Sequence, residues 1–131
     1  MIEYIVTIKK DSRLNIVVKN LICALCYLKI NNITSNLIVN LYFTTEPIKF
    51  FLHTFINVDF NIKFIDVDIN NLEIPNYNEL FDKPETNLIY EKFICKHNCL
   101  KQVVICNEIV KTIWKVTPEM LPKFNYYYHY Y

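Results

Sequence analysis

Asp66 and Asp68 form a D-x-D at the end of the apolar run 62–69, IKFIDVDI. Two carboxylates two apart on an extended strand point the same way, so they could share a divalent cation, which takes hard oxygen ligands. The competing reading is a strand end whose aspartates are solvated or cap the next turn. Cys23 and Cys26 form a C-x-x-C, and Cys95, His97 and Cys99 add further soft ligands. A zinc site from Cys23, Cys26, Cys95 and Cys99 is conceivable. The first pair, however, lies inside an apolar-periodic stretch, where cysteines three apart behave as small buried hydrophobes. His53 has no Ser or Cys suggestively spaced beside it and reads as a structural histidine. His129 lies in the aromatic run FNYYYHYY (124–131), which could stack bases or sugars or could pack as an ordinary terminus.

The elements that must position these residues alternate. Ile2–Ile8 is rich in β-branched and aromatic residues and predicts a strand. Asp11 and Ser12 offer N-caps, and Leu14, Val17, Val18, Leu21, Leu25 and Leu28 recur at helical spacing. Leu37–Phe43, LIVNLYF, predicts a strand covered on both faces. Thr45-Glu46-Pro47 opens a second helix with Ile48, Phe51, Leu52 and Phe55 as its apolar stripe, and 62–69 is a third strand. Pro75 and Pro84 bracket a looser segment. A helix near 86–98 and a buried fourth strand at Val103–Cys106 follow. Pro118 and Pro122 limit any helix after residue 109.

This order predicts an α/β, Rossmann-like three-layer sandwich: a mostly parallel four-stranded sheet, order 3-2-1-4, with helices on both faces. Residues 1–121 are expected as the domain and 122–131 as an aromatic tail. Ligands in such sheets collect at the carboxyl ends of the strands. Those ends read IKKDSR (8–13), TTE (44–46), DVDINN (66–71) and NEI (107–109).

Composition excludes several chemistries. The chain has 131 residues and no glycine, so it can build no Walker phosphate loop, G-x-G-x-x-G turn or G-x-S-x-G elbow. Asn, Ile, Lys, Tyr and Phe are abundant, as codons of an AT-rich genome would make them. The net charge is +1, with scattered lysines and no basic block for nucleic acid. The longest purely apolar run, Leu21–Leu28, is far short of the ~20 residues that span a membrane. The start MIEYIVTIKK reads as a strand and not as a signal peptide, which implies a cytoplasmic protein with five reduced cysteines.

With the strands placed, the chain resembles the nucleotide-sugar half of the glycogenin-like glycosyltransferases (glycosyltransferase family 8, GT-A fold), in particular those of large insect DNA viruses. Tyr4-Ile5-Val6-Thr7-Ile8 with KKDSR and the helix after it is similar to the family's opening strand, loop and long helix. Leu37–Thr44 resembles the second strand, and Lys63-Phe64-Ile65-Asp66-Val67-Asp68 the third. Tyr90–Phe93, Lys101–Cys106 and Trp114–Met120 resemble the segment that carries the family's metal motif.

The resemblance implies a hexosyl donor site for a UDP-sugar, with Thr7, Asp11, Arg13, Asn107 and Glu108 as its vestigial binding residues. Arg13 would stack on the base. The family holds the diphosphate with Mn²⁺ on a D-x-D after the fourth strand, and that motif falls here on Asn107-Glu108-Ile109. Asn107 keeps an oxygen, Glu108 is in the wrong register, and Ile109 offers a cation nothing. The family's acceptor half, with its glycine-bearing late motif, has no counterpart. These departures imply a catalytically silent relative with at most weak nucleotide-sugar binding and no cofactor, Mn²⁺ entering only if activity is kept. Two other readings stand beside it. One is a small interaction protein whose tyrosine-rich end meets a protein partner or a second copy. The other is an improvised metal site from Asp66, Asp68 and Glu108.

Overall fold

Four parallel strands stand in the order β3-β2-β1-β4 in the computed structural model, which describes residues 2–57, 61–80 and 107–131. β1 is Glu3–Thr7, β2 Leu37–Asn40, β3 Ile62–Ile65 and β4 Tyr77–Glu79. Val6 pairs with Val39 and Val39 with Phe64, so the three apolar runs lie in register and turn alternate side chains to the same face. That face meets α1 (Leu14–Ile30) and α2 (Glu46–Phe55), which share one buried cluster with Val6, Ile8, Leu37, Val39 and Leu41. Ile5 and Ile38, which point the other way, are buried as well, so neither face of the sheet centre meets solvent. The result is the expected Rossmann-like layering.

The strand beside β1 is a correction. The sequence pattern places it at Val103–Cys106, which lies outside the described residues, as does the helix expected at 86–98. The described neighbour is Tyr77–Glu79, in the segment between Pro75 and Pro84 expected to be loose. Three residues suffice because Glu3 N–H donates to Asn76 O (3.1 Å) and Leu80 N–H to Ile5 O (2.7 Å), which extend the ladder at both ends.

Asparagine and aspartate do the work of the missing glycine. Asp11 (φ 63°), Asn32 (φ 54°) and Asn61 (φ 53°) take the left-handed conformation, which short polar side chains tolerate best after glycine. Asn32 closes α1: its N–H donates to Lys29 O (3.2 Å) and that of Ile33 to Leu28 O (2.9 Å), the paired bonds of a Schellman cap. Asp11 is therefore a turn residue and not the expected cap. The N-cap position of α1 is Arg13, which makes no side-chain cap bond.

The C-terminal segment is also more ordered than its prolines suggest. Residues 107–112 are helical (α3), and Trp114 bridges to Ile56. Pro118 opens a 3₁₀ turn and Pro122 the first turn of α4 (Leu121–Tyr130). Both prolines occupy first-turn positions, where a missing N–H costs nothing. The aromatic run is thus a helix, and it packs on α2 through Phe124, Tyr127 and Tyr128 against Phe51.

Candidate functional site at the carboxyl edge of the sheet

Thr7, Asp11 and Arg13 follow β1 to the carboxyl edge, where the sequence places a ligand. Thr7 is already engaged there. Its N–H donates to Glu79 Oε1 (3.0 Å) and its hydroxyl to Glu79 Oε2 (2.7 Å), so one carboxylate ties β1 to β4. At the neighbouring strand end Asn40 is the buried polar residue of the described core, 1% exposed. Its Nδ2 donates to Val67 O (2.9 Å), and its Oδ1 accepts from the N–H groups of Val67 and Tyr42 (3.2 Å each). This amide fixes the Asp66–Asp68 loop against the sheet.

The D-x-D is consumed by structure. Asp66 Oδ2 accepts from Lys49 Nζ at 2.7 Å, and Glu46 Oε1 lies 3.4 Å from the same ammonium. The Asp66 hydrogen bond raises the Lys49 pKa above its ordinary value, against the opposing effect of burial. Asp68 caps the 3₁₀ turn Ile69–Asn71 by accepting from Asn70 N–H at 3.1 Å. Among the described residues no group of three or more His, Cys, Asp or Glu side chains is placed to hold a metal ion. The improvised site of Asp66, Asp68 and Glu108 does not assemble.

Glu108 and Asn107 lie elsewhere. Glu108 pairs with Lys29 Nζ at 3.0 Å. Lys29 ends α1 and Arg13 precedes it, sixteen residues apart, about 24 Å at 1.5 Å per residue. The structure therefore brings together Thr7, Asp11 and Arg13 at one edge and puts Asn107 and Glu108, in α3, at the other. The first N–H of α1, where an anion would bind a Rossmann-like domain, is also taken: Leu14 N–H donates to the main-chain oxygen of Tyr131 at 2.9 Å.

The cysteines give a second correction. Cys26 is disulfide-bonded, so the chain does not carry five reduced thiols, and the zinc quartet loses a ligand. Cys95, His97 and Cys99 lie outside the described residues. Cys23 is a free, buried thiol pushed up to about 12 by desolvation, against a small lowering from Lys19. Burial keeps it a protonated thiol at neutral pH. Its folded pKa lies above its unfolded one, so the folded state holds the proton longer. Stability is intact below about pH 9 and should fall by about 1.4 kcal/mol per pH unit through the window up to about 12. Urea denaturation of the wild type and Cys23→Ala at pH 8 and pH 10 should show a steeper alkaline loss in the wild type. Equal slopes would contradict the buried-thiol assignment.

His53 is exposed, with its ring edge-on to Phe64 at 5.0 Å, and His129 lies on the outer side of α4. Of the residues that organise this edge, sequence reasoning missed three. Asn40 had a signal, as the one polar residue inside LIVNLYF. Lys49 and Glu79 had none, because their partners are distant in sequence. No protein-family model matches the chain, and neither characterised proteins nor solved structures gave a match. No helix of the described residues is long and apolar enough to cross a membrane.

Proposed function

We propose that this domain works by association and not by catalysis, and that the outer side of α4 is its contact surface for a second copy of the chain. The observation that carries this is the carboxyl edge. Thr7, Asn40, Lys49, Asp66 and Asp68 are committed to hydrogen bonds within the chain, and the start of α1 is capped by Tyr131. α4 in contrast shows water its aromatic surplus. Tyr126 and Tyr130 are 55% and 67% exposed and stack on each other at 5.5 Å. With Pro122, Asn125 and His129 they line a shallow groove that contains no Lys, Arg, Asp or Glu. Two such strips can meet about a two-fold axis without like charges opposing each other. Tyrosine suits such contacts because it buries much area at low entropic cost.

Light scattering on the full chain should give a dimer at about 100 μM, a concentration that populates a micromolar complex. Tyr126→Lys with Tyr130→Lys should return it to monomer without a change in the far-ultraviolet spectrum. A wild type monomeric at that concentration would contradict the proposal.

The strand order supports a second reading, descent from the nucleotide-sugar half of a glycogenin-like glycosyltransferase. Under it Thr7, Asp11 and Arg13 keep a weak UDP-sugar site. Ligand binding to the folded state stabilises by RT ln(1 + [L]/Kd), so millimolar UDP-sugar should raise the melting temperature in wild type and not in Arg13→Ala. Mn²⁺ should make no difference, because among the described residues no three His, Cys, Asp or Glu side chains converge to hold a metal ion. A Mn²⁺-dependent shift, or sugar transfer, would overturn the silent-relative reading.

A further inference from the structure

We infer that the amino edge of the sheet, opposite the edge described above, holds a binding site for a small carboxylate with an apolar body. The inference is independent of the proposed self-association. A cavity of about 250 Å³ lies between the end of α1, the α1–β2 loop and α3. Leu25, Leu28, Ile33 and Ile109 supply its apolar wall, and Lys29, Ser35 and Asn61 its polar groups. It exceeds the ~150 Å³ apolar cavity that takes up benzene, so an arylacetate-sized ligand fits.

The walls are fixed by main-chain bonds. Ile33 is held to Leu28 by the Schellman cap, and Leu37 N–H, just beyond the loop, donates to Asn61 O at 2.8 Å. Such preorganisation lowers the ordering cost of binding. The Ser35 hydroxyl is buried and, among the described residues, has no hydrogen-bond partner. Ser35 lines the cavity, and a turn about its χ1 would bring this unpaired hydroxyl from its buried position onto a ligand oxygen. Lys29 adds the charge. Its ammonium sits 3.0 Å from Glu108 Oε2, and both side chains are more than half exposed. Exposed pairs of this kind are weak, so Glu108 can turn to water and leave Lys29 to an incoming carboxylate. An ammonium and a hydroxyl donor beside four aliphatic side chains match an anionic oxygen acceptor on a short apolar body.

Phenylacetate and its neutral isostere phenylacetamide are the probes, titrated into the isotopically labelled full chain and followed by amide shifts. Phenylacetate should shift Ile33, Ser35 and Ile109 saturably, with a dissociation constant on the order of millimolar, and phenylacetamide should bind about tenfold more weakly. Lys29→Met should remove that difference, and Ser35→Ala should weaken both probes. Glu108→Gln should tighten phenylacetate severalfold by removing the competing carboxylate, a gain that impaired folding cannot produce. Absence of saturable shifts up to about 20 mM, equal affinity for the two probes in wild type, or no gain in Glu108→Gln would overturn the site.

Discussion

Replacing Phe51 by alanine should cost about 3–5 kcal/mol, the range for emptying a well-packed aromatic site. Phe51 is fully buried on α2 and stands at the centre of the ring cluster. Its centroid lies 4.9 Å from Phe55, 5.3 Å from Phe124 and 6.1 Å from both Trp114 and Tyr128. Offset and edge-to-face pairs at these separations each add to the burial term, and alanine removes them together. Domains of this size have about 5–15 kcal/mol in total, so the variant would be marginal, with a melting temperature lower by on the order of 10–20 °C. Urea denaturation followed by circular dichroism reads the change. Tyr126→Ala, on the exposed side of α4, is the control in dilute protein below the concentration that populates the proposed dimer, and there should move stability by no more than about 0.5 kcal/mol. A loss at Phe51 below about 1 kcal/mol would mean that α4 does not pack as described.

The same cluster shows why the end of the chain was hard to read. FNYYYHYY has no clean helical stripe of aliphatic residues, and two prolines stand just before it. Yet Phe124, Tyr128 and Tyr131 repeat at three- and four-residue spacing, and so do Tyr126 and Tyr130. The first set faces α2 and the second faces water. Tyrosine hides this division, since it is at home in either place. Burial under the cluster raises the Tyr128 phenol above its ordinary pKa, a mark of the inner set.

Strands β1 to β3 and helices α1 and α2 were legible because each carries its own period. Valine, isoleucine and phenylalanine alternate or run continuously in the strands, and α1 repeats leucine on one side. The fourth strand was not legible. Tyr77-Asn78-Glu79 has little β-propensity, and what makes it a strand is the free edge of β1 together with the Thr7–Glu79 bonds, seventy-two residues apart. The pairings at the carboxyl edge were not legible for a similar reason. The polar residues there are where the topology puts them, but their partners come from across the fold. Lys49 reaches Asp66 and Glu79 reaches Thr7, pairings that no local spacing encodes. The short D-x-D could be read as a cation pair or as a strand end that caps the next turn, and its carboxylates in fact serve a lysine and that turn.

Asn40→Leu should cost about 2–4 kcal/mol despite conserving side-chain size. The substitution removes one donor and one acceptor from a fully buried position, leaving Val67 C=O and the N–H groups of Val67 and Tyr42 without the partner they share. Each unmet group costs about 1–3 kcal/mol when dry, and the total stays below their sum because Tyr42 and the loop are partly open to water. Amide exchange should then accelerate at Val67 and at Asn70, whose N–H depends on Asp68 staying in place. Asn40→Asp separates hydrogen bonding from packing. An ionised aspartate keeps the acceptor for Val67 and Tyr42 but opposes its charge to the Val67 carbonyl, so burial holds its folded pKa above the unfolded ~3.9. The folded variant binds its proton at higher pH than the unfolded chain, so its stability relative to wild type should rise as pH falls from 7 towards about 4. Once protonated, the carboxyl can donate to Val67 as the amide did. Deficits in Asn40→Asp that do not change with pH would mean that the Val67 carbonyl is not the partner that matters, and that the loop is held by packing alone.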